Sequence, residues 1–266
     1  MEILGYVSAV LIGISLGLIG GGGSSLAMPV LVYLFHVKAQ AAVSDSFFIV
    51  GLTSLIGAIT YISQKQISYK SALLFGLPSI LGVYVAHRII WEAIPQQIAI
   101  GSLLPFSKDT FVLVLFSLLM ILASVSMIRP IRLVQSESSP VTLAGPKLFA
   151  GGFGVGILAG LVGAGGGFLI IPALVNLVKL PMKKAIGTSL LIISINSAIG
   201  LLSSSNNQAA FDWHFLLLFS TFSAAGIFAG MLIAKRVSGN MLKPAFGWFI
   251  LAIGSFIISQ QIIRIH

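Results

Sequence analysis

Residues 17–29 read Gly-Leu-Ile-Gly-Gly-Gly-Gly-Ser-Ser-Leu-Ala-Met-Pro, and residues 160–172 read Gly-Leu-Val-Gly-Ala-Gly-Gly-Gly-Phe-Leu-Ile-Ile-Pro. These two glycine stretches align without a gap, with Gly17 opposite Gly160. Each is embedded in long apolar sequence, where consecutive glycines destabilise a regular helix. The pattern therefore predicts that the chain breaks a membrane helix twice and that the two breaks form the functional site.

The composition identifies a membrane protein. Of the 266 residues, 57% are hydrophobic and 8% are charged, and the mean hydropathy is +1.08. A soluble domain has roughly 25% charged residues. Apolar runs of about 20 residues, enough to cross ~30 Å of hydrocarbon as helix, occur along the whole chain. The alternating pattern of a membrane β-barrel does not occur. We therefore predict an all-α, polytopic bundle of membrane helices.

The apolar segments fall into two halves, residues 1–134 and 147–266, which a polar linker at residues 135–146 separates. We call the shift that takes Gly17 to Gly160 the repeat offset. The same shift relates further pairs of positions beyond the glycines, so we predict two internal repeats. The pairs are Pro29 and Pro172, Ala42 and Ala185, Ser46 and Ser189, Ser54 and Ser197, and Gly57 and Gly200. The less apolar stretch Trp91–Asp109 has no counterpart. It predicts a surface excursion with Trp91 near the lipid headgroups.

The path of the glycine-broken helices decides the topology. If each broken unit crosses the membrane, the halves are parallel; if each is a re-entrant hairpin, the halves are inverted. The first arrangement places nine Lys and Arg on one side and six on the other, and the second places eleven and four. Because basic residues accumulate in cytoplasmic loops, the counts favour inverted repeats with both termini outside. The second span is expected at Phe47–Ile62.

The charged residues exclude several classes of function. The formal charge is +9, from 15 Lys and Arg against 6 Asp and Glu. Basic cytoplasmic loops explain this excess in a membrane protein, so no nucleic-acid partner is predicted. The chain has no cysteine, and its four histidines are scattered. We therefore predict no metal site, no cofactor and no catalytic residues of an enzyme.

Three sequence features together resemble a known family. They are the stretch Gly156–Pro172, the run Ala185-Ile186-Gly187-Thr188-Ser189, and the pair Asp212-Trp213. They look like the sulfite exporter TauE/SafE family of bacterial and archaeal inner-membrane permeases, and Gly20–Gly23 with Pro29 matches the family's first-half copy. The resemblance covers essentially the whole chain. It implies a multi-pass protein of the cytoplasmic membrane that moves a small sulfur-containing anion, such as sulfite or an organosulfonate, commonly by export.

The first half departs from the family's pattern at two places. Ser24 and Ser25 stand where the second copy has Gly167 and Phe168. Asp45 stands where the family's Thr-Ser pair would place a hydroxyl group. These differences leave the particular anion open.

The glycine breaks predict an anion site made of backbone. Backbone that leaves a helix at mid-membrane must line a cavity buried in protein or filled with water. Successive N–H groups of a glycine run point into one concavity, and the helix that follows adds the positive end of its dipole. Close helix packing through small residues is the alternative explanation. The predicted substrate-binding residues are Gly20, Gly21, Gly22, Gly23, Ser24, Ser25, Ser46, Gly163, Gly165, Gly166, Gly167, Thr188, Ser189 and Asn196.

Two further polar residues each allow two interpretations. Asp45 precedes an apolar run, where a carboxyl group relays protons or serves as a loop carboxylate or helix N-cap. We treat it as the candidate for ion coupling. Asn196 lies within an apolar segment, where its amide bonds either a neighbouring helix or the substrate.

The preferred interpretation is a secondary transporter whose partners are a small anion, protons and the lipid bilayer. A homo-oligomer is compatible with the sequence. An anion channel that uses the paired breaks as a filter is the alternative from another class. A transporter of a different small anion, such as a carboxylate, is the alternative within the same class.

Overall fold

The computed structural model describes residues 2–21, 23–98, 106–128, 145–163, 166–203 and 212–265. Ten helices lie within these residues. They are α1 (Glu2–Ile19), α2 (Ser24–Leu34), α3 (Ala39–Ser63), α4 (Tyr69–Ala93), α5 (Lys108–Ile128), α6 (Gly145–Val162), α7 (Gly167–Asn176), α8 (Met182–Ser203), α9 (Trp213–Arg236) and α10 (Gly239–Ile265). The last turn of α2 and residues 86–90 of α4 are π-helical. One short ladder pairs Gln97–Ile98 with Phe106–Ser107.

The all-α membrane fold is confirmed. Six of the described helices are long and apolar enough to cross a membrane, namely α3, α4, α5, α8, α9 and α10. One face of α4 exposes large apolar side chains at every fourth position, including Leu73, Leu77 and Leu81. Such an apolar stripe on the outside of a bundle suits contact with lipid tails.

The helix boundaries follow the repeat offset seen in the sequence. The starts of α6, α7 and α8 lie at the repeat offset from the starts of α1, α2 and α3. Helix α9 starts one position later than the offset from the start of α4 predicts. Residues 135–144 of the predicted linker lie outside the described residues. The inverted repeat and the re-entrant path across a membrane stay predictions.

The chain reverses its direction at the first glycine break. Gly23, just before α2, packs against Ile12 and Leu16 of α1, and Gly5 near the start of α1 packs against the ring of Phe35 beyond α2. The two helices therefore run antiparallel as a hairpin. In the second half Gly166 packs against Ala159. These two residues are the counterparts, at the repeat offset, of Gly23 and Leu16.

The main helix pairs join the two halves. Helix α1 runs parallel to α9: Ser223 donates to the carbonyl oxygen of Ala9 (2.9 Å), and Gly17 lies against Gly230 and Met231. Helix α6 runs parallel to α4, where Gly156 packs on Ser79. Glycine at these contacts lets the backbones approach closely, as is common in membrane bundles.

Two other pairs cross between the halves in antiparallel directions. In the pair α3 and α8, Gly51 faces Ser197 and Gly187 faces Tyr61. In the pair α5 and α10, Gly254 faces Met120, while Gly247, nearer the start of α10, faces the end of α5. The core therefore lies where α3 and α8 cross, enclosed by the helices of both halves.

One sequence expectation about a helix boundary is wrong. Helix α3 begins at Ala39 rather than at Phe47, because Asp109 of α5 accepts a hydrogen bond from the Gln40 amide (3.2 Å) and so caps its first turn. Trp91, at the end of α4, is buried in the protein, with 6% of its surface exposed, and its depth in the membrane stays a prediction. The ammonium group of Lys108 lies 4.4 Å from the centre of its ring and covers it.

Candidate functional site

The two glycine breaks meet in the centre of the structure. We call them the first tip (residues 20–25) and the second tip (residues 163–168). A Cβ atom added at Gly167 would lie 2.5 Å from the Cα atom of Gly21, so the two backbones touch without side chains between them. Helices α2 and α7 both start at this contact. Gly22 and Gly165 lie outside the described residues.

Both tips begin with a glycine in the left-handed region. The φ angles of Gly20 and Gly163 are 71° and 87°, and their N–H groups donate to the carbonyl oxygens of Leu16 and Ala159, at 2.8 Å and 3.0 Å. This is the usual way in which glycine ends a helix and turns the chain. Gly166, just before α7, also has a positive φ of 70°. The breaks therefore have a conformational reason for glycine, which close packing alone does not supply.

Buried hydroxyl groups surround the first tip. Ser24 donates to the carbonyl oxygen of Gly21 at 2.6 Å, and its Oγ atom would lie 2.7 Å from a Cβ atom added at Gly167. Ser189 of α8 points at Gly20, where an added Cβ atom would lie 2.9 Å from its Oγ atom. Ser24, Ser25 and Ser189 have no exposed surface. The predicted hydroxyls at 24 and 189 therefore do converge on one tip.

The second tip packs against the other long helix of the core. A Cβ atom added at Gly163 would lie 2.7 Å from the Cα atom of Val43 in α3. Ser46, fully buried in the next turn, donates to the carbonyl oxygen of Val43 at 2.8 Å. Each tip thus lies against a serine-bearing turn of a helix from the opposite half.

The two tips differ in polarity at their last residue. Where the first tip has Ser25, the second has Phe168, whose fully buried ring meets that of Phe116 at 5.3 Å and 89°. An edge-to-face pair of this kind packs tightly and excludes water. The first tip is therefore the more polar of the two.

Comparison with known proteins identifies the family. The profile of the family described as sulfite exporter TauE/SafE matches residues 6–257. The chain belongs to the TauE/SafE family. A protein of Xylella fastidiosa (strain 9a5c), called "Probable membrane transporter protein", is 30% identical over 253 residues, which is 93% of this chain and 91% of that protein. No solved structure matches the chain.

A second relative agrees with this placement. "Probable membrane transporter protein YunE" of Bacillus subtilis (strain 168) is 30% identical over 231 residues, which is 75% of this chain and 78% of that protein. As a TauE/SafE member, the chain is a multi-pass membrane permease and not an enzyme.

Two predicted binding residues of this TauE/SafE chain make hydrogen bonds between helices. The hydroxyl oxygen of Thr188 accepts a hydrogen bond from the Ser68 amide at 3.0 Å. The side-chain nitrogen of Asn196 donates to Ser79 of α4 at 2.7 Å, and its oxygen has no partner among the described residues. Both side chains are fully buried. The structure therefore shows the hydrogen bond from Asn196 to a neighbouring helix, which is one of its two interpretations.

Asp45 lies in the second turn of α3, half-buried, and is neither a loop residue nor the N-cap, which is Lys38. Its charged neighbour is Asp212, which caps α9 by accepting a hydrogen bond from the Phe215 amide at 3.0 Å. No local pattern relates these two carboxylates, because they lie in different halves of the chain.

Tyr61 is a contact of the first tip that sequence reasoning missed. Its hydroxyl donates to the carbonyl oxygen of Gly17 at 3.3 Å and so ties α3 to the last turn of α1. No motif marks this tyrosine, because the contact joins residues 44 positions apart.

An apolar cavity of about 430 Å³ lies beside the first hairpin, between α2 and α10. Its lining is apolar apart from Ser8 and Tyr33, and includes Leu26, Pro29 and Phe256. Such a lining suits a lipid tail, and it offers an anion few hydrogen-bond donors. The polar candidate site is therefore the contact of the tips and not this cavity.

Proposed function

We propose that this chain is a secondary transporter that moves a small sulfur-containing anion, such as sulfite or an organosulfonate, across the cytoplasmic membrane in the export direction. The observation that carries the proposal is the backbone contact between Gly21 and Gly167, where two helices begin at one buried place. The printed description of the family, sulfite exporter, supports the substrate class.

The chemistry of the tips favours an anion. The first amides of α2 and α7 are the ends at which a helix carries partial positive charge. Ser24 and Ser189 bring neutral hydroxyls to the first tip; their protons now donate to the carbonyl oxygens of Gly21 and Ile186 and would turn to the anion when it binds. A site of amides and hydroxyls binds an oxyanion without a fixed opposite charge, so the anion also leaves readily. For the anion to enter the site, the backbones of Gly21 and Gly167 have to separate.

We also propose that the two halves are inverted repeats with re-entrant hairpins. The directions of the helix pairs support this arrangement: α1 is parallel to α9, α6 is parallel to α4, and α3 is antiparallel to α8. Because consecutive long helices run in opposite directions, α1 and α6 point opposite ways. Inverted repeats place the substrate site at the midplane and expose it alternately to the two sides.

The test is counterflow in proteoliposomes that contain the purified chain. Sulfite and methanesulfonate are expected to give saturable counterflow and to raise the apparent melting temperature, while acetate and sodium ions do neither. A carboxylate or a cation as the sole active ligand would overturn the substrate class. Conductance without saturation or counterflow would replace the transporter with a channel.

A paired variant locates the site. Ser24→Ala combined with Ser189→Ala removes two buried hydroxyls from the first tip and is expected to raise the half-saturating anion concentration about tenfold or more, since two hydrogen bonds to a charged group are lost. Ser259→Ala is the matched control, because Ser259 is exposed and makes the same type of bond, to the carbonyl oxygen of Phe256 in the preceding turn. Equal transport by both variants would move the site away from the first tip.

A further inference from the structure

Two serines differ from the other buried hydroxyl residues of α3 and α8. Ser54 in α3 and Ser197 in α8 are counterparts at the repeat offset, and neither has any exposed surface. Their hydroxyl groups have no hydrogen-bond partner among the described residues. A buried hydroxyl group without a partner costs stability, so its presence in a core needs an explanation.

A second pair of counterparts in the same two helices is satisfied. Ser46 and Ser189 are also fully buried, and each donates at 2.8 Å to the carbonyl oxygen three residues earlier in its own helix. A serine within a helix can commonly make such a bond. Both halves therefore satisfy one serine in this way and leave the other unpaired. The unpaired hydroxyl is thus a property of positions 54 and 197, and not of serine in these helices.

Ser197 lies where α8 crosses α3. A Cβ atom added at Gly51 of α3 would lie 2.9 Å from the Cβ atom of Ser197. Four residues earlier on the same face of α8, Ile193 contacts the second tip, because its Cδ1 atom would lie 2.7 Å from a Cβ atom added at Gly167. One helical turn rises about 5.4 Å. Ser197 is therefore about one turn away from the contact of the two tips.

Ser54 occupies the equivalent place in the first half. The contacts between α3 and α8 are preserved when the two halves are exchanged: Gly57 meets Leu190, and their counterparts Gly200 and Phe47 also meet. Helix α2 packs against α3 as α7 packs against α8. The same exchange therefore places Ser54 at the crossing, about one turn from the start of α2. The two unpaired hydroxyls lie beside the tips, one from each half.

The surroundings favour an anion as the ligand of these hydroxyls. A hydroxyl group can donate to an anion, and its oxygen can also face a cation. Residues 47–61 of α3 and 185–203 of α8 contain no charged residue, so these stretches supply no carboxylate for a cation. The starts of α2 and α7 meet at the tips and carry partial positive charge, which attracts an anion and repels a cation.

We propose that Ser54 and Ser197 are further ligands of the transported anion, one from each half, which complete its site on the side of α3 and α8. Their hydroxyl groups donate to the anion once the tips have separated, while the first amides of α2 and α7 bind it from the other side. Ser24 and Ser189 have to give up bonds to carbonyl oxygens before they bind the anion, whereas Ser54 and Ser197 have no such bond to lose. The inference rests on the proposed function and adds these two ligands to it.

The test compares Ser54→Ala, Ser197→Ala and the combination of the two with the wild-type chain. Each change removes a hydroxyl group without a partner, so the apparent melting temperature in the absence of an anion is expected to stay the same or to rise. In the double variant the half-saturating anion concentration in counterflow is expected to rise about tenfold or more, because two hydrogen bonds to a charged group are lost. The increase in melting temperature that the anion causes is expected to shrink accordingly.

Ser124→Ala is the matched control. Ser124 is fully buried in α5 but donates to the carbonyl oxygen of Ile121 at 2.6 Å. Its removal is expected to lower the melting temperature without an anion and to leave the half-saturating concentration unchanged. The control therefore separates the loss of a bond within the protein from the loss of a ligand. Monodispersity on size exclusion confirms that each variant is folded.

Three results would overturn the inference. The first is a double variant with the half-saturating concentration of the wild type. The second is a double variant whose melting temperature without an anion falls as that of Ser124→Ala does, since the two hydroxyls would then bond within the protein. The third is stabilisation by sodium ions that the double variant loses, which would replace the anion with a cation.

The substrate class is tested separately from these two ligands. Counterflow is measured with sulfite, methanesulfonate and acetate, and the variants are compared with whichever of these the wild-type chain moves. A wild-type chain that moves acetate alone would overturn the sulfur-anion assignment, while the comparison of the variants would still decide the role of Ser54 and Ser197. Counterflow with none of the three would overturn both.

Discussion

Gly167→Ala tests the contact of the two tips directly. The added Cβ atom would lie 2.5 Å from the Cα atom of Gly21 and 2.7 Å from both the Oγ atom of Ser24 and the Cδ1 atom of Ile193. Carbon atoms in contact lie about 3.5–4.0 Å apart, so the tips would have to separate by about 1 Å. Ser24 and Ile193 can rotate, but the backbone of Gly21 cannot. Overpacking of this kind costs about 1–3 kcal/mol.

This cost predicts the behaviour of the purified variant. Because about 1.4 kcal/mol is a tenfold change in an equilibrium, Gly167→Ala is expected to reduce counterflow about tenfold or more and to lower the apparent melting temperature. Gly154→Ala is the control, since an added Cβ atom there meets nothing within 4 Å and alanine favours the helix by roughly 0.5–1 kcal/mol. If both variants transport and melt alike, the backbone contact is not the site. Gly21→Ala, on the other side of the contact, is expected to behave as Gly167→Ala does.

Three further substitutions test the surroundings of the site. Phe168→Ala empties the fully buried place beside Phe116 and is expected to cost about 3–5 kcal/mol, so an unchanged melting temperature would contradict the packing of the second tip. Lys108→Met removes the ammonium group that bonds the carbonyl oxygen of Trp91, and the connection between α4 and α5 is expected to be cleaved faster in limited proteolysis, whereas a wild-type rate would deny Lys108 that role. Asn196→Leu loses one hydrogen bond and also one unpartnered buried oxygen, so melting and counterflow are expected to change little; a selective loss of counterflow would assign Asn196 to the substrate.

The sequence was a sound guide where the signal is local. The glycine runs predict the helix breaks, and the positive φ angles of Gly20 and Gly163 supply the conformational reason. The first turn of α3 escaped prediction because its polar residues suggest a loop, and its cap comes from Asp109, far along the chain from the Gln40 amide that it binds. Thr188 was grouped with the tips because it is a hydroxyl near them in sequence, while in the fold it is engaged by Ser68.

Long-range contacts set the limit of sequence reasoning here. The repeat offset relates the two tips, but an offset does not say whether they touch. The burial of Trp91 likewise depends on Lys108, which belongs to the next helix. Spacing along the chain shows which positions of the two halves are equivalent. Only packing between the halves decides whether equivalent positions come into contact.

The differences between the two halves matter because the proposed inverted repeats would make opposite faces of the transporter nearly equivalent. In a fully symmetric chain the inward-open and outward-open states would have the same energy, and any ion would favour both alike. A bias therefore has to come from positions at which the repeats differ. Ser25 against Phe168 makes the first tip the more polar one, and Asp45 against Thr188 places a carboxyl group in only one of the two equivalent helices. Changes at the tips are therefore expected to act on the affinity for the anion, whereas changes at Asp45 are expected to act on the preference between the two states.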